Sequence, residues 1–245
     1  MNNQEIFDLL ESRKVIIIAG EYGRGKTLSA IALTWFLSVI YQHFNVLSNI
    51  PVNFKFIDLE PLTNSHQFDK EHKDTIIIHD EMQRDFNSRD FLTSSAKIVS
   101  KFSVDFRKDE SKLISTIQFM NRLDNALNEI VQIIIIPTFI NQYSHLDKED
   151  IKIRLEKKDF ITNWKIIDKK YEENHEIKLN LYPFLNMYDT KFKPYPLVIN
   201  HDDFIEKQEK NLSQIKYGNL VSGINRKLIE NNNNWNNGLT ELLQR

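Results

Sequence analysis

Five short, almost uninterrupted apolar runs rich in β-branched residues lie within the first 140 residues of the chain. They cover residues 15–19, 46–48, 75–79, 112–117 and 130–136. Such runs are typical of strands buried on both faces, as in a parallel sheet covered by helices. Helical or loop material separates the runs, which favours crossover connections. The pattern predicts a doubly wound α/β fold with a mainly parallel central sheet. We expect its last run to end at Pro137, because proline cannot donate within a ladder.

Two segments between these runs show helical patterns. Residues 28–44 follow the first run and predict a helix of about 25 Å. Between residues 91 and 106, four side chains at spacings of seven, four and four share one helical face: Phe91, Ile98, Phe102 and Phe106. This second predicted helix brings Arg107 to its carboxyl end, just ahead of the fourth run.

Beyond about residue 147 the pattern changes to alternation of apolar and polar positions, visible in residues 151–155, 164–166 and 177–181. Alternation is typical of half-exposed antiparallel strands. Because such strands bury one face each, we expect them to extend the main sheet and to form no second domain. A helical pattern from residue 201 to Gly218 and an Asn-rich tract around Trp235 follow. The predicted organisation is a core at 1–146, a strand extension at 147–200 and a helical, Asn-rich tail at 201–245.

Composition excludes several classes of function. The 245 residues contain no cysteine, which excludes disulfides, thiol nucleophiles and Cys-based zinc sites and fits a reducing, cytoplasmic compartment. With 32 basic and 34 acidic residues, the net charge of -2 excludes nucleic-acid binding by bulk charge alone.

No targeting or membrane segment is expected. Acidic residues at positions 5, 8 and 11 stand where a signal sequence is basic and then apolar. Residues 27–54 hold no Asp, Glu, Lys or Arg and exceed the roughly 20 residues that cross a bilayer. Polar residues interrupt the second half of this stretch, so a buried helix followed by a buried strand explains it better than a membrane span.

A cluster of glycines follows the first predicted strand. Three of the six glycines in the chain lie in the segment Gly20-Glu-Tyr-Gly-Arg-Gly-Lys-Thr27. This segment matches the Walker A pattern and stands between a predicted strand and a predicted helix, as a phosphate-binding loop requires. ATP is then bound by main-chain N–H groups of the loop, at Gly20, Gly23, Arg24, Gly25, Lys26, Thr27 and Leu28. Lys26 reaches the β- and γ-phosphates and Thr27 offers an oxygen to Mg²⁺. The alternative is a chance glycine turn.

A second motif, Thr75-Ile-Ile-Ile-His-Asp80-Glu81, ends the third apolar run with two carboxylates. Adjacent carboxylates repel each other unless a cation neutralises them, and Mg²⁺ supplies that charge. The motif looks like a Walker B strand, in which Asp80 holds the Mg²⁺ shell and Glu81 polarises the water that attacks the γ-phosphate. The alternative is an acidic turn that caps the next helix. His79 is interpreted as a core histidine, with a role in the site as its alternative.

The fourth apolar run leads to Gln118, and Arg107 precedes Gln118 by eleven residues. Together with the two Walker motifs, this arrangement resembles the FtsK/HerA superfamily of ring-forming, DNA-pumping ATPases, over roughly residues 15–140. The resemblance implies a P-loop NTPase fold of the RecA-like type, a three-layer sandwich with the strand order five-one-four-three-two, in which Gln118 stands between the two motifs and senses the γ-phosphate. It also implies that Arg107 is an arginine finger in a neighbouring subunit's site, and that Asp124 begins the segment to the fifth strand. The alternative for Arg107 is a cation that complements the dipole at the carboxyl end of its helix.

Within the superfamily, residues 46–51 and the compact length are similar to virus-encoded genome-packaging ATPases and to Zot-like phage assembly proteins, as is the tripeptide at 188–190. The resemblance implies a Mg²⁺-dependent ATPase that forms a homomeric, hexameric ring and moves double-stranded DNA into a viral capsid. Capsid or portal-site proteins are further partners. Four cations are candidate DNA contacts, and for each of them a solvated surface charge is the favoured alternative: Arg84, Arg89, Lys97 and Lys101.

Two other functions are weighed. The first is a Zot-like or scaffolding protein that binds nucleotide as a switch in virion assembly, without DNA translocation. Zot-like proteins carry a membrane-spanning segment, and no stretch after residue 140 approaches one, which favours packaging. The second is a nucleotide kinase, whose lid is rich in arginines. Arg122 and Arg154 are too few for such a lid.

Overall fold

The chain alternates strands and helices along most of its described length. A computed structural model describes residues 2–41, 45–54, 58–62, 67, 74–84, 111–122, 125–139, 160–188 and 194. The strands are β1 (Val15–Ala19), β2 (Asn45–Ser48), β3 (Asp58–Pro61), β4 (Thr75–His79), β5 (Lys112–Ile117), β6 (Ile133–Phe139), β7 (Ile161–Asp168) and β8 (Glu173–Asn180). The α-helices are α1 (Asn3–Glu11), α2 (Lys26–Tyr41) and α3 (Asn125–Ile130). Short 3₁₀ helices cover Met82–Arg84, Met120–Arg122 and Tyr182–Phe184.

All of the described strands join one sheet in the order β3-β2-β4-β5-β1-β6-β7-β8. Pairing is parallel from β3 to β6 and antiparallel between β6, β7 and β8. The five predicted apolar runs correspond to β1, β2, β4, β5 and β6, so their order is five-one-four-three-two. The predicted α/β fold, a mainly parallel sheet extended by antiparallel strands, is confirmed, and its strand order is the one that the resemblance implies. The predicted helix at 91–106 and the predicted tail at 201–245 lie outside the described residues.

Burial on both faces of the sheet explains why the central strands consist of continuous apolar runs. All five residues of β1 are buried. Ile16 and Ile18 pack into the cluster that includes α1 and α2, whereas Val15, Ile17 and Ala19 pack into a second cluster. Alternate residues of a strand point to opposite faces, so the two clusters lie on the two sides of the sheet. Strands β4 and β5 are buried along their whole length for the same reason.

The fifth predicted strand has different ends in the structure. We expected it at 130–136, whereas Ile130 belongs to α3 and β6 begins at Ile133 and continues through Pro137. Proline is tolerated there because β1 pairs with β6 only as far as Ile135. Beyond Ile135, β6 has β7 as its one described neighbour, so one side of the strand needs no N–H donor. The helix predicted at 28–44 is α2, with residues 42–44 outside the described part of the chain.

The antiparallel strands share the core of the parallel sheet. Trp164 of β7 is fully buried, and its indole N–H donates to Ser29 Oγ in the first turns of α2 at 3.0 Å. Beyond β8, the ring of Phe184 lies 5.4 Å from that of Phe36 on α2, centroid to centroid. The predicted extension of the sheet is therefore confirmed for the alternating stretches 164–166 and 177–181, which fall in β7 and at the end of β8. The predicted stretch at 151–155 and the predicted limits at 147 and 201 lie outside the described residues.

Sequence analysis does not predict helix α1 or strand β3. Helix α1 begins with a capping box between Asn2 and Glu5. It ends against β5, where the Lys112 ammonium donates to Glu11 O at 2.5 Å and to Leu10 O at 3.4 Å. Strand β3 pairs with β2 alone and carries an acidic, proline-containing sequence without apolar alternation. Among the helices that the structure describes, none is both long enough and apolar enough to cross a membrane.

Candidate nucleotide-binding site

The candidate residues of the two predicted motifs meet at the carboxyl edge of the parallel sheet. Strand β5 lies between β4 and β1 and is parallel to both. The glycine loop after β1, the Asp80–Glu81 pair after β4 and Gln118 after β5 therefore leave the sheet at the same edge. Ligands of open α/β sheets bind at this edge, beyond the carboxyl ends of the strands.

The glycine loop has the backbone conformation of a phosphate-binding loop. Gly23 and Gly25 have φ values of 77° and 75°, in the left-handed region that favours glycine. The Gly20 N–H still donates to Ile117 O of β5 at 3.2 Å, and the Ser29 N–H donates to Gly25 O at 2.8 Å. The loop thus runs directly from the sheet into the amino terminus of α2, where free N–H groups and the helix dipole attract anions.

Lys26 lies at the start of α2, close to both acidic residues of the second motif. In the ligand-free chain its ammonium donates to Glu21 O at 2.9 Å, within the loop itself. Burial lowers the pKa of Lys26, and the nearby carboxylates of Asp80 and Glu81 oppose that shift. On the outer side of the loop, Arg24 forms a 3.4 Å ion pair with Glu21.

Two hydroxyl groups converge on the buried carboxylate of Asp80. Thr27 Oγ1 donates to Asp80 Oδ1 at 2.9 Å, and Thr116 Oγ1 of β5 donates to the same oxygen at 2.7 Å. Burial raises the pKa of Asp80, while the two hydrogen bonds act in the opposite direction. A buried carboxylate that accepts only neutral donors is a favourable place for a cation.

The donor set at Asp80 fits Mg²⁺. This ion prefers oxygen ligands and is usually held by one or two carboxylates together with waters and phosphate oxygens. Thr27 and Asp80 supply a hydroxyl and a carboxylate oxygen that already lie 2.9 Å apart. Within the described ranges there is no cluster of three or more His, Cys, Asp or Glu residues that could hold a metal by itself, so phosphate oxygens and water would complete the shell.

The turn that carries Asp80 and Glu81 is clamped by two polar side chains. The Asn49 side chain donates from Nδ2 to Asp80 O at 2.9 Å and accepts the Asp80 N–H at Oδ1, at 2.7 Å. The Glu81 N–H donates to Thr116 Oγ1 at 2.9 Å. Glu81 has a φ of 56°, a left-handed conformation that is strained for a residue with a side chain. These hydrogen bonds hold the strained turn and fix where the two carboxylates leave the sheet.

Asn49 and Thr116 are functional-site residues that sequence reasoning missed. Asn49 lies in the segment 46–51 on which the viral resemblance partly rests, and Thr116 precedes Gln118 by two residues. The signal available in the sequence was the pair of hydroxyl residues Ser115 and Thr116 near the end of an apolar run. In the structure both are buried in β5.

The other predicted site residues divide into two groups. Gln118 is half-buried directly after β5, and His79 is fully buried in β4, where its carbonyl accepts from Ser115 Oγ at 2.7 Å. Arg84 is described and contacts Glu81. The remaining predicted contacts lie outside the described residues, namely Arg107, Arg89, Lys97, Lys101, Asp124 and positions 189 and 190.

Removing the Thr116 hydroxyl is expected to destabilise the ligand-free fold. In Thr116→Val, the Glu81 N–H loses its acceptor and the buried Asp80 carboxylate loses a donor. The free energy of unfolding should fall by about 1 to 3 kcal/mol, the cost of leaving buried polar groups unpaired. Thr116→Ser keeps the hydroxyl and is the matched control. Denaturant unfolding of the three proteins measures the difference, and equal midpoints for valine and threonine contradict this role.

Comparison with known proteins gives similar structures and no sequence relatives. No protein-family model matches the chain, and no curated protein sequence matches it. One similar solved structure is the genome packaging NTPase B204 from Sulfolobus turreted icosahedral virus 2 in complex with ATP-gammaS, at 14% identity and a TM-score of 0.45, covering 67% of this chain and 96% of that one. Another is the N-terminal domain of zonular occludens toxin from Neisseria meningitidis, at 14% identity and a TM-score of 0.47, covering 72% and 99%.

A third similar structure is B204, the DNA-packaging ATPase from Sulfolobus Turreted Icosahedral Virus, at 11% identity and a TM-score of 0.44, covering 66% of this chain and 96% of that one. Both kinds of protein that the sequence resembles, viral packaging ATPases and Zot, are thus among the structures to which this chain is similar.

Proposed function

We propose that this chain binds MgATP at the carboxyl edge of its sheet, hydrolyses it, and uses the energy to move double-stranded DNA in viral genome packaging. The observation that carries the proposal is the 2.9 Å hydrogen bond between Thr27 Oγ1 and Asp80 Oδ1, which spans 53 positions of sequence. It joins the phosphate loop to the acidic strand end. The hydroxyl and the carboxylate that P-loop ATPases use around Mg²⁺ therefore lie side by side.

The triphosphate binds to the N–H groups of the glycine loop, at Gly20, Gly23, Arg24, Gly25, Lys26, Thr27 and Leu28. On binding, the Lys26 ammonium exchanges Glu21 O, its partner at 2.9 Å in the ligand-free chain, for oxygens of the β- and γ-phosphates. The exchange is favourable because a hydrogen bond between two charged groups is stronger than one to a neutral carbonyl.

Thr27 and Asp80 are the residues that hold Mg²⁺ in this proposal. The bound ion supplies positive charge that neutralises phosphate oxygens during transfer of the γ-phosphoryl group. Thr116 keeps the Asp80 carboxylate turned toward Thr27, because its hydroxyl donates to the same oxygen at 2.7 Å.

Glu81 acts as the base that orients and polarises the attacking water. It follows Asp80 directly, on a turn whose backbone Asn49 and Thr116 hold. Gln118 leaves β5 between the glycine loop and this turn, and in the proposal it senses the γ-phosphate.

The coupling to DNA rests on the sequence resemblance. We propose a homomeric, hexameric ring in the cytoplasm, in which Arg107 of one subunit enters the nucleotide site of the next. Double-stranded DNA passes through the ring, and capsid or portal-site proteins dock it. The core at 1–146 carries the chemistry, the strands at 147–200 extend its sheet, and the tail at 201–245 forms a separate segment.

Mixing wild-type subunits with Arg107→Ala subunits is expected to lower ATP turnover by more than the fraction of variant. Each variant subunit removes the finger from its neighbour's site, and in a ring whose subunits hydrolyse ATP in coordination one disabled site also slows the others. Lys108→Ala removes the adjacent cation and is the matched control. Turnover is measured over a series of mixing ratios, and a strictly proportional fall contradicts coordinated hydrolysis through fingers that act between subunits.

ATP turnover with and without duplex DNA tests the proposed function. Turnover of the oligomer should rise when duplex is added, and the rise should shrink as salt increases because the DNA contacts are ionic. Turnover that stays flat with duplex, in a preparation confirmed to be oligomeric, contradicts a DNA motor and favours the nucleotide switch. A folded chain that fails to retain ATP with Mg²⁺ overturns both functions.

A further inference from the structure

Hydrogen bonds hold the backbone of Glu81 and of the residue before it. The part of the proposed base that can still move is its side chain. Asn49 holds Asp80 by two backbone hydrogen bonds, and Thr116 accepts the Glu81 N–H at 2.9 Å. The position of the carboxylate then depends on the torsions of the side chain, which is 33% exposed. A base that must orient one water molecule needs a further contact to define those torsions.

Arg84 supplies that contact. The 3₁₀ helix Met82–Arg84 turns the chain back, with the Arg84 N–H donating to Glu81 O at 2.9 Å. The turn brings Arg84 Nη1 to 3.1 Å from Glu81 Oε2. Among the residues that the structure describes, no other side chain bonds to this carboxylate.

The Arg84 guanidinium is itself held by a distant part of the chain. The same Nη1 donates to Pro194 O at 2.8 Å, across 110 positions. Before Pro194, the chain beyond β8 passes over α2 through Phe184 and reaches the loop after β2, where Met187 O accepts from the Asn53 N–H at 2.7 Å. The two acceptors, Glu81 Oε2 and Pro194 O, together define the direction of the Nη1 group. The Arg84 side chain is 40% exposed, and these two hydrogen bonds hold it in one orientation.

We propose that Arg84 is a positioning residue for hydrolysis: held by the Pro194 carbonyl, its guanidinium orients the Glu81 carboxylate toward the attacking water. This inference rests on the proposed ATPase function and adds a residue to it. An exposed ion pair contributes little to stability, so the contact acts on the rate of the chemical step. Misplacing a reacting group by about 1 Å costs on the order of 100-fold in rate.

Three substitutions of Arg84 separate its charge, its donors and its bulk. Arg84→Lys keeps a charge and enough N–H groups for both acceptors, Arg84→Gln keeps two N–H groups without the charge, and Arg84→Met keeps neither. Lys178→Met, which removes an exposed cation from β8, is the control. We expect Arg84→Met to lower kcat by about 10- to 100-fold with KM for ATP within about two-fold of wild type. Arg84→Lys should restore most of kcat, Arg84→Gln should fall between them, and all four variants should unfold at the wild-type midpoint.

A double-mutant cycle shows whether Arg84 acts through Glu81. Adding Arg84→Met to Glu81→Gln should cost no further activity, because the group that Arg84 orients is already disabled. A further loss in the double variant overturns the inference, as does a wild-type kcat, or a raised one, in Arg84→Met. A raised KM with an unchanged kcat also overturns it, since Arg84 would then bind nucleotide. A wild-type chain that binds no MgATP or does not hydrolyse it refutes the proposed function itself, and this inference with it.

Discussion

Glu81→Gln is expected to retain MgATP with the affinity of the wild type and to hydrolyse it about 100- to 10,000-fold more slowly, the range for loss of a general base. The amide has the shape of the carboxylate and keeps an oxygen that can accept from Arg84, which lies 3.1 Å from Glu81 Oε2. It cannot take up a proton or polarise water as an anion does. Steady-state turnover, together with equilibrium binding of a fluorescent ATP analogue, separates the two effects.

The control for this substitution is Glu60→Gln, which makes the same chemical change on the exposed face of edge strand β3. It should leave both turnover and binding unchanged. The left-handed backbone at position 81 is equally strained for Glu and Gln, so the fold itself should not respond. Normal hydrolysis by Glu81→Gln would show that the base is another group. Loss of ATP binding would show that Glu81 contributes to the binding of ATP and not only to its hydrolysis.

Asp80→Asn is expected to lower turnover about 100- to 1,000-fold, the cost of removing one electrostatic contact to the transition state, and to stabilise the ligand-free fold. The asparagine oxygen still accepts from Thr27 and Thr116, at the position where Asp80 Oδ1 accepts at 2.9 and 2.7 Å. Burial raises the pKa of Asp80, so its ionised form costs stability at neutral pH. That cost is absent below the usual pKa of an aspartate and appears as pH rises through the raised one. The neutral amide avoids it, and Mg²⁺ should no longer raise the unfolding midpoint in the presence of ATP.

Asp168→Asn is the matched control, because it changes a second buried aspartate with the opposite electrostatics. Burial acts to raise the pKa of Asp168, but the hydrogen bond from Arg13, at 2.6 Å, and further donors hold it below its usual value. The charge of Asp168 therefore contributes stability above the usual aspartate pKa, and that contribution is lost as pH falls through the lowered one. Denaturant unfolding at neutral pH should show Asp168→Asn less stable and Asp80→Asn more stable than the wild type. An Asp80→Asn variant less stable than the wild type would contradict this prediction and would show that the Asp80 charge stabilises the turn.

For the central strands, which are covered on both faces, the sequence patterns predicted both ends at the correct residue. The predicted limits 15–19, 75–79 and 112–117 are those of β1, β4 and β5. In such strands every position faces a packed layer, so the apolar run and the strand have the same ends. At the sheet margins this relation fails. Among the described strands, β3 pairs only with β2 at the edge of the sheet, and it carries no apolar run. Strand β6 continues past Pro137 because its pairing with β1 ends at Ile135.

The site divides in a similar way. The motifs alone were enough to propose Lys26 and Thr27 in the glycine loop, and Asp80 and Glu81 at the strand end, because each motif consists of neighbouring residues. The residues that hold Asp80 and Glu81 in place were not predicted. Thr116 lies 35 and 36 positions from the groups it bonds, Asn49 lies 31 positions away, and a hydrogen bond over such distances leaves no local pattern.

The amino-acid sequence by itself determined the glycine loop, the acidic strand end and most of the succession of strands and helices along the chain. Glycine torsions, apolar runs and helix starts depend on residues close together in the chain. Only the tertiary structure decided how the two motifs are joined. Placing β5 between β1 and β4 inserts Thr116 beside Asp80, and the return of the chain to Pro194 gives Arg84 its second acceptor. The physical reason is that a hydrogen bond forms between groups that are close in space, and closeness in space across many strands is a property of the whole sheet.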